Sequence, residues 1–224
     1  MIRLIYNSDG SLQGLVECTA GLVWNNGGSI PFMASAGHCG PVNYSWQQGY
    51  YDPDSNTIYE SGPMGTAFAN SFGENQVDGT LLDNNGDYVT AVWENLSGSY
   101  QAPAVTSVTN AAVGQNVCLS GSFTGTKCTG IVTVANGCDA ITYTDPDTGV
   151  TTTVDLCGLT TVESPQSIVQ SGDSGGPVFY GNPALGNGVA ATGVISAGSA
   201  DGTQALYSNR IGLQSYFTGD FDTV

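Results

Sequence analysis

Apolar and polar residues alternate along this chain in runs of about four to eight, broken by Gly, Asn, Asp or Pro roughly every 8 to 12 residues. In the first half the runs are Gly14–Thr19, Gly21–Asn25, Ser29–Ala34, Gln76–Leu82 and Tyr88–Trp93. In the second they are Gly130–Ala135, Ala140–Thr144, Val150–Leu156, Pro177–Tyr180 and Val189–Ser196. A period of two sends successive side chains to opposite faces, so each run reads as a strand with one buried face. No stretch sustains the period of an amphipathic helix. Asn209–Phe217, with Ile211, Leu213, Tyr216 and Phe217, is the one candidate for a short helix. The pattern predicts an all-β chain, a barrel or a sandwich. Residues 95–112, rich in Ser, Ala and Thr, break the rhythm and read as a connection between two halves, 1–100 and 101–224.

Composition narrows the class. The chain has 224 residues, 40% hydrophobic and only 10% charged, which argues for a packed globule rather than a disordered acidic chain. Lys and Arg number 3 against 19 Asp and Glu, a formal charge of −16. Nucleic acid and anionic membranes are thereby excluded as partners, because both need a basic face. The same scarcity leaves few cleavage points for trypsin-like proteases. No apolar run of about 18 residues is present to span a membrane.

Six cysteines without a CxxC pair predict three disulfides and an oxidising compartment. Turn symmetry points to sequential pairing. Cys18–Cys39 is centred on Asn25-Asn26-Gly27-Gly28, Cys118–Cys128 on Ser122-Phe123-Thr124, and Cys138–Cys157 on Asp145–Gly149. The N-terminus carries no signal-peptide pattern, so the expectation is a mature exported domain. No metal or cofactor is expected, since zinc thiolates come in tight pairs. Asp52-Pro53-Asp54-Ser55-Asn56 offers oxygens that suit Ca²⁺ at Asp52 and Asp54, but reads more simply as an exposed acidic turn. Asn43 and Asn95 head glycosylation sequons.

The candidate chemistry lies in Ser171-Gly172-Asp173-Ser174-Gly175-Gly176-Pro177, a glycine-rich turn that presents Ser174 and runs into a strand. Its base must be His38, the only histidine, in Ala36-Gly37-His38-Cys39. Gly172–Gly176 also satisfies the G-x-S-x-G of α/β-hydrolases, where the histidine follows the serine. Here none follows. An Asp–His–Ser order would need Asp9, which sits in a polar stretch. The order His, Asp, Ser remains. Between the two, Asp78 in Val77-Asp78-Gly79-Thr80-Leu81-Leu82 is flanked by apolar residues; Asp52, Asp54, Asp83 and Asp87 sit in turns.

His38, Asp78 and Ser174 in these settings resemble the chymotrypsin-like serine proteases, most nearly their secreted bacterial branch, the streptogrisin and alpha-lytic protease group. Val117–Gly125, ending at Cys128, is similar to that branch's hairpin, and Val194–Ser199 to the strand that pairs with substrate. The resemblance implies two six-stranded antiparallel β-barrels with the site in the crevice between them. It implies an oxyanion hole from the N–H groups of Gly172 and Ser174, a hydrogen bond from Ser196 to Asp78, and a buried, paired Asp173. The chain departs from the pattern in three places. Met1-Ile2-Arg3 is not the Ile-Val-Gly-Gly start whose amine pairs with that acid in animal members. Leu119 stands where bacterial members often carry an Arg. Ser167-Ile168-Val169 stands where a cysteine is usual. The partner of Asp173 is therefore open.

For P1, the substrate residue before the cut, the resemblance places the pocket between Pro165–Ser171, Ser196–Gly198 and Ala205–Tyr207. Ile168, Val169, Ser196, Ala197 and Gly198 are the candidate contacts. With no Asp at the base and no second histidine, an apolar or aromatic P1 is expected. The reading is a monomeric, secreted serine endopeptidase acting on peptides or proteins. A catalytically inactive binding module of the same fold and an esterase of another fold are its alternatives.

Overall fold

The computed structural model describes residues 1–224 except 29, 53, 84–87, 93, 97–98 and 182–187, with the backbone alone described for 94–96 and 99–100. The predicted turn at Asn84–Asp87 lies outside the described residues, as does part of the sequon at Asn95.

Most of the alternating runs form strands because each can bury one face, whereas the run from Tyr88 has only an isolated bridge at Ala91, to Ala104. In the first half the strands are β1 (Ile2–Tyr6), β2 (Leu12–Glu17), β3 (Val23–Asn25), β4 (Phe32–Ser35), β5 (Ser45–Asp52), β6 (Thr57–Asn70) and β7 (Thr80–Leu82). The oxygen-rich segment at Asp52 is the turn of the β5–β6 hairpin. Its carboxylate accepts the Asp54 N–H at 3.0 Å and the Ser55 hydroxyl at 2.7 Å, and Asn56 takes the left-handed conformation at φ 51° that such turns need.

Residues 95–112 are not a bare connection. They carry most of a small hairpin, β8 (Glu94–Leu96) and β9 (Ser99–Gln101), and then β10 (Val105–Val108). The second half continues with β11 (Asn116–Gly121), β12 (Gly125–Thr144), β13 (Thr151–Glu163), β14 (Pro177–Tyr180), β15 (Val189–Gly198), β16 (Gln204–Asn209), α1 (Arg210–Gln214) and β17 (Asp220–Phe221). The helix is shorter than the 209–217 expected. Asn209 caps it, accepting the Gly212 N–H at 2.8 Å.

The protein is all-β, in two main sheets. In the second, β11 to β16 form a ring: β15-β14-β11-β12-β13-β16, closed by the β15–β16 pairing, with every step antiparallel. β10 joins outside the ring, parallel to β15. The first sheet differs from the six strands expected. It runs β17-β3-β4-β7-β6-β5-β1-β2, eight strands in open order among the described residues. Its edge strand β17 comes from the C-terminal end of the chain and pairs with β3.

One core lies between the sheets. Trp24, Leu81, Phe179, Val194, Leu213 and Phe217 belong to a single buried cluster drawn from both halves. A second core fills the ring, with Val117, Leu119, Val162, Val178, Ile195 and Tyr207. Each fully buried side chain of this size contributes roughly 1.5–3 kcal/mol, so both sheets and their junction are rigid enough to fix side chains that meet across it.

Candidate active site

His38, Asp78 and Ser174 come from three loops at the junction. His38 sits on a single 3₁₀ turn, Gly37–Cys39, directly after β4, and the Cys18–Cys39 disulfide holds that turn. A Cβ on Gly37 would lie 2.7 Å from the Gly79 carbonyl, so glycine is what lets the His38 turn close on the Asp78 segment. Asp78 lies just before β7 and is fully buried. Ser174 precedes β14, its loop fixed by the Thr19 N–H on the Ser174 carbonyl at 2.7 Å and the Gly175 N–H on the Ile195 carbonyl at 2.7 Å.

The three side chains meet in line. His38 Nδ1 lies 2.7 Å from Asp78 Oδ2, and Nε2 lies 3.0 Å from Ser174 Oγ. Asp78 Oδ1 accepts the His38 N–H at 2.9 Å, and the Ser196 hydroxyl donates to Oδ2 at 2.6 Å. Burial works against ionisation of Asp78. The facing imidazole and the hydrogen bonds from His38 and Ser196 outweigh it and hold the carboxyl below its usual range. Burial also works against the imidazolium of His38, but the Asp78 charge and hydrogen bond prevail and raise its pKa above 6.5. The imidazole is therefore a stronger base than a free one, with Nε2 turned to the hydroxyl.

The chain superposes on Thermobifida fusca protease A with a TM-score of 0.65 and 25% identity, over 92% of each chain. The chain resembles the bacterial chymotrypsin-like serine proteases. Nocardiopsis protease matches with a TM-score of 0.64 and 25% identity, again over 92% of each chain. Cellulomonas bogoriensis chymotrypsin matches with a TM-score of 0.63 and 27% identity, over 93% of this chain and 92% of that one. No protein-family model and no curated protein sequence matches.

The buried Asp173 is held by three backbone N–H groups and one hydroxyl. Asp173 Oδ1 accepts the N–H groups of Phe123 at 2.9 Å and Thr124 at 3.1 Å. Oδ2 accepts the Gln170 N–H at 2.9 Å and the Thr124 hydroxyl. Phe123 and Thr124 lie on the turn between β11 and β12, which the Cys118–Cys128 disulfide ties together, while Gln170 lies on the same loop as Asp173. A Cβ on Gly121 would lie 2.1 Å from the Asp173 carboxyl carbon, so glycine is required there by contact. Thr19 Oγ1 braces the same loop, 2.9 Å from the Gly172 carbonyl. Gly172 takes φ 92°, in the left-handed region, and a Cβ there would strike the Phe123 ring at 2.4 Å. Neither the Gly172 nor the Ser174 N–H donates to an acceptor among the described residues.

The β12–β13 hairpin reaches from the second sheet over the site. The Cys138–Cys157 disulfide crosses it. Tyr143 on β12 sets its ring 5.8 Å from the His38 ring and 5.0 Å from Phe72. At the tip, Asp147 forms two hydrogen bonds with the buried Arg3 of β1, at 2.8 and 3.1 Å. Tyr143 and Thr19 each act through a partner far away in the chain, and nothing local in the sequence marks them.

A pocket of about 440 Å³ opens beside Ser174. Val169, Ala197 and Gly198 line it. Ile168 does not: it points into the core of the ring. Ala205 and Tyr207 are core residues as well, because β16 closes the ring and turns them inward. Ser196 turns its side chain to Asp78 rather than to the pocket. Asp201, which sequence reasoning passed over, does line the pocket. The cysteines beside His38 offer no metal site, since Cys18 and Cys39 are bonded to each other.

Proposed function

We propose that this protein is an exported serine endopeptidase that hydrolyses peptide bonds through an acyl-enzyme, with Ser174 as nucleophile, His38 as general base and then acid, and Asp78 as the group that orients His38. The observation that carries the reading is the unbroken line from Asp78 Oδ2 through His38 to Ser174 Oγ, at 2.7 and 3.0 Å. Ser174 Oγ attacks the scissile carbonyl carbon as its proton passes to His38 Nε2. The negative charge that develops on the carbonyl oxygen is met by the N–H groups of Gly172 and Ser174. His38 then returns the proton to the leaving amine as the C–N bond breaks. Water, deprotonated by the same nitrogen, releases the acyl group and restores Ser174.

Ala197 and Gly198 pair with β16 on one side only, leaving an edge on which an extended substrate adds as a strand. Residues 1–100 and 101–224 serve as the two domains, the first supplying base and orienting acid, the second nucleophile and pocket. Three disulfides and the similarity to bacterial proteases support an extracellular enzyme that needs no cofactor, and the enzyme is taken to act as a monomer.

A fluorophosphonate probe tests the reading directly. Wild-type protein labels at Ser174 and Ser174→Ala does not. Failure of wild type to label, or equal labelling of the two, overturns it.

A further inference from the structure

We propose that the enzyme cleaves after basic residues, Lys or Arg, and that Asp201 in the wall of the pocket selects them. The inference rests on the serine-endopeptidase reading above. The pocket beside Ser174 is lined in two parts. Val169, Ile195 and Ala197 give it apolar wall, and Ser167, Gln170 and Asp201 give it polar wall. Asp201 is the one charged residue among those lining it.

The Asp201 carboxylate is held rather than free to swing. Its Oδ1 accepts the Ser199 hydroxyl at 2.7 Å, the Thr203 hydroxyl at 2.8 Å and the Thr203 N–H at 3.1 Å. Its Oδ2 takes no hydrogen bond among the described residues. Those bonds, the Ser199 hydroxyl foremost, lower its pKa to about 2, so it is charged wherever His38 can act as a base. Lys and Arg pair an apolar stem with a cationic head, which matches apolar and acidic wall in one pocket. A Leu or Phe would use the apolar wall alone, and a Glu would meet a like charge.

Two whole-chain features agree with a cationic substrate. The net charge of −16 attracts basic peptides, and no cation lies in the pocket to offset Asp201. Arg3 and Arg210 are bound to Asp147 and Asp220, and Lys127 is on β12 beside the Cys118–Cys128 disulfide. Those three are also the only basic residues a copy of the enzyme could cut after. Arg3 is buried in β1, and Arg210 opens α1. An enzyme selecting Lys or Arg would thus meet almost no site in itself, whereas exposed Tyr6, Phe68 and Tyr216 would be open to one selecting aromatic residues.

The test is kcat/KM on a set of peptide substrates that differ only in P1: Arg, Lys, Leu, Phe and Glu. Active enzyme is counted by fluorophosphonate titration, so misfolded protein drops out. Arg and Lys are expected to be the best substrates. The Arg-to-Leu ratio is expected to fall about tenfold in Asp201→Asn, the size of a charge-assisted contact at an open site. Preference of wild type for Leu or Phe overturns the inference while the endopeptidase reading stands. So does an unchanged ratio in Asp201→Asn. If wild type neither labels nor cleaves any of the five, the endopeptidase reading itself has failed, and the inference with it.

Discussion

At the scale of single residues, the site depends on a proton held in one place. Asp78 is buried and ionised, and it can remain so because three donors converge on it: the His38 N–H, the His38 ring and the Ser196 hydroxyl. Asp78→Asn keeps the shape but offers an amide to Nδ1, which favours the tautomer with its proton on Nε2, facing Ser174. The expected loss in kcat is on the order of 10³–10⁴-fold, measured at saturating substrate. The pH dependence follows from the same pair. His38 must be neutral to act as base, and its pKa is raised, so kcat/KM falls with acid through a midpoint above 6.5. In Asp78→Asn the raising charge is gone and that midpoint moves down. A midpoint that stays in place would show that Asp78 does not set the basicity of His38.

At the scale of elements, the β11–β12 hairpin fixes the loop that carries Gly172, Asp173 and Ser174. Two N–H groups and a hydroxyl from one disulfide-tied turn hold Asp173, and Gly121 lets the carboxylate come within contact. Gly121→Ala therefore pushes Asp173, and with it Gly172 and Ser174, out of place. The expected result is a fall of at least about tenfold in the rate of fluorophosphonate labelling, with a modest overpacking cost of about 1–3 kcal/mol in denaturant unfolding. Labelling at the wild-type rate would mean that the loop holds its geometry without Asp173. The β12–β13 hairpin is the other element that acts at a distance. Its Cys138–Cys157 bridge, Tyr143 and Asp147 carry one strand pair from the ring across to His38 and β1.

At the scale of the whole molecule, charge is the dominant asymmetry. With 19 acidic and 3 basic side chains, most carboxylates have no ion-pair partner and repel one another across the surface. Salt shortens the range of that repulsion to about 10 Å at 0.1 M. The thermal midpoint is expected to rise when salt is raised from about 0.01 M to 0.1 M, read by calorimetry on Ser174→Ala so that self-digestion does not intrude. A flat or falling midpoint would mean that the carboxylates are spread widely enough not to interact.

The sequence by itself determined the all-β class, through alternation that only strands can satisfy, and the identity of the candidate nucleophile and base. A single histidine and the order of residues along the chain leave few alternatives, and neither depends on packing. Asp78 was legible for a related reason: an acid among apolar residues must be buried and therefore partnered. What only the tertiary structure decided involves residues brought together from distant positions. Three of the donors to Asp173, from Phe123 and Thr124, lie about 50 positions away, on a turn that carries no charge to pair with the carboxylate it faces. The eight-strand open sheet depends on β17 returning to β3, a pairing set by where the chain ends up after the ring has closed. Ile168 turns into the core of the ring, and Asp201 lines the pocket instead. Both residues sit in loops outside the strands, joined by the Ile168 N–H on the Gly202 carbonyl at 2.8 Å, so which side chain enters the pocket is set by how two loops distant in sequence pack together.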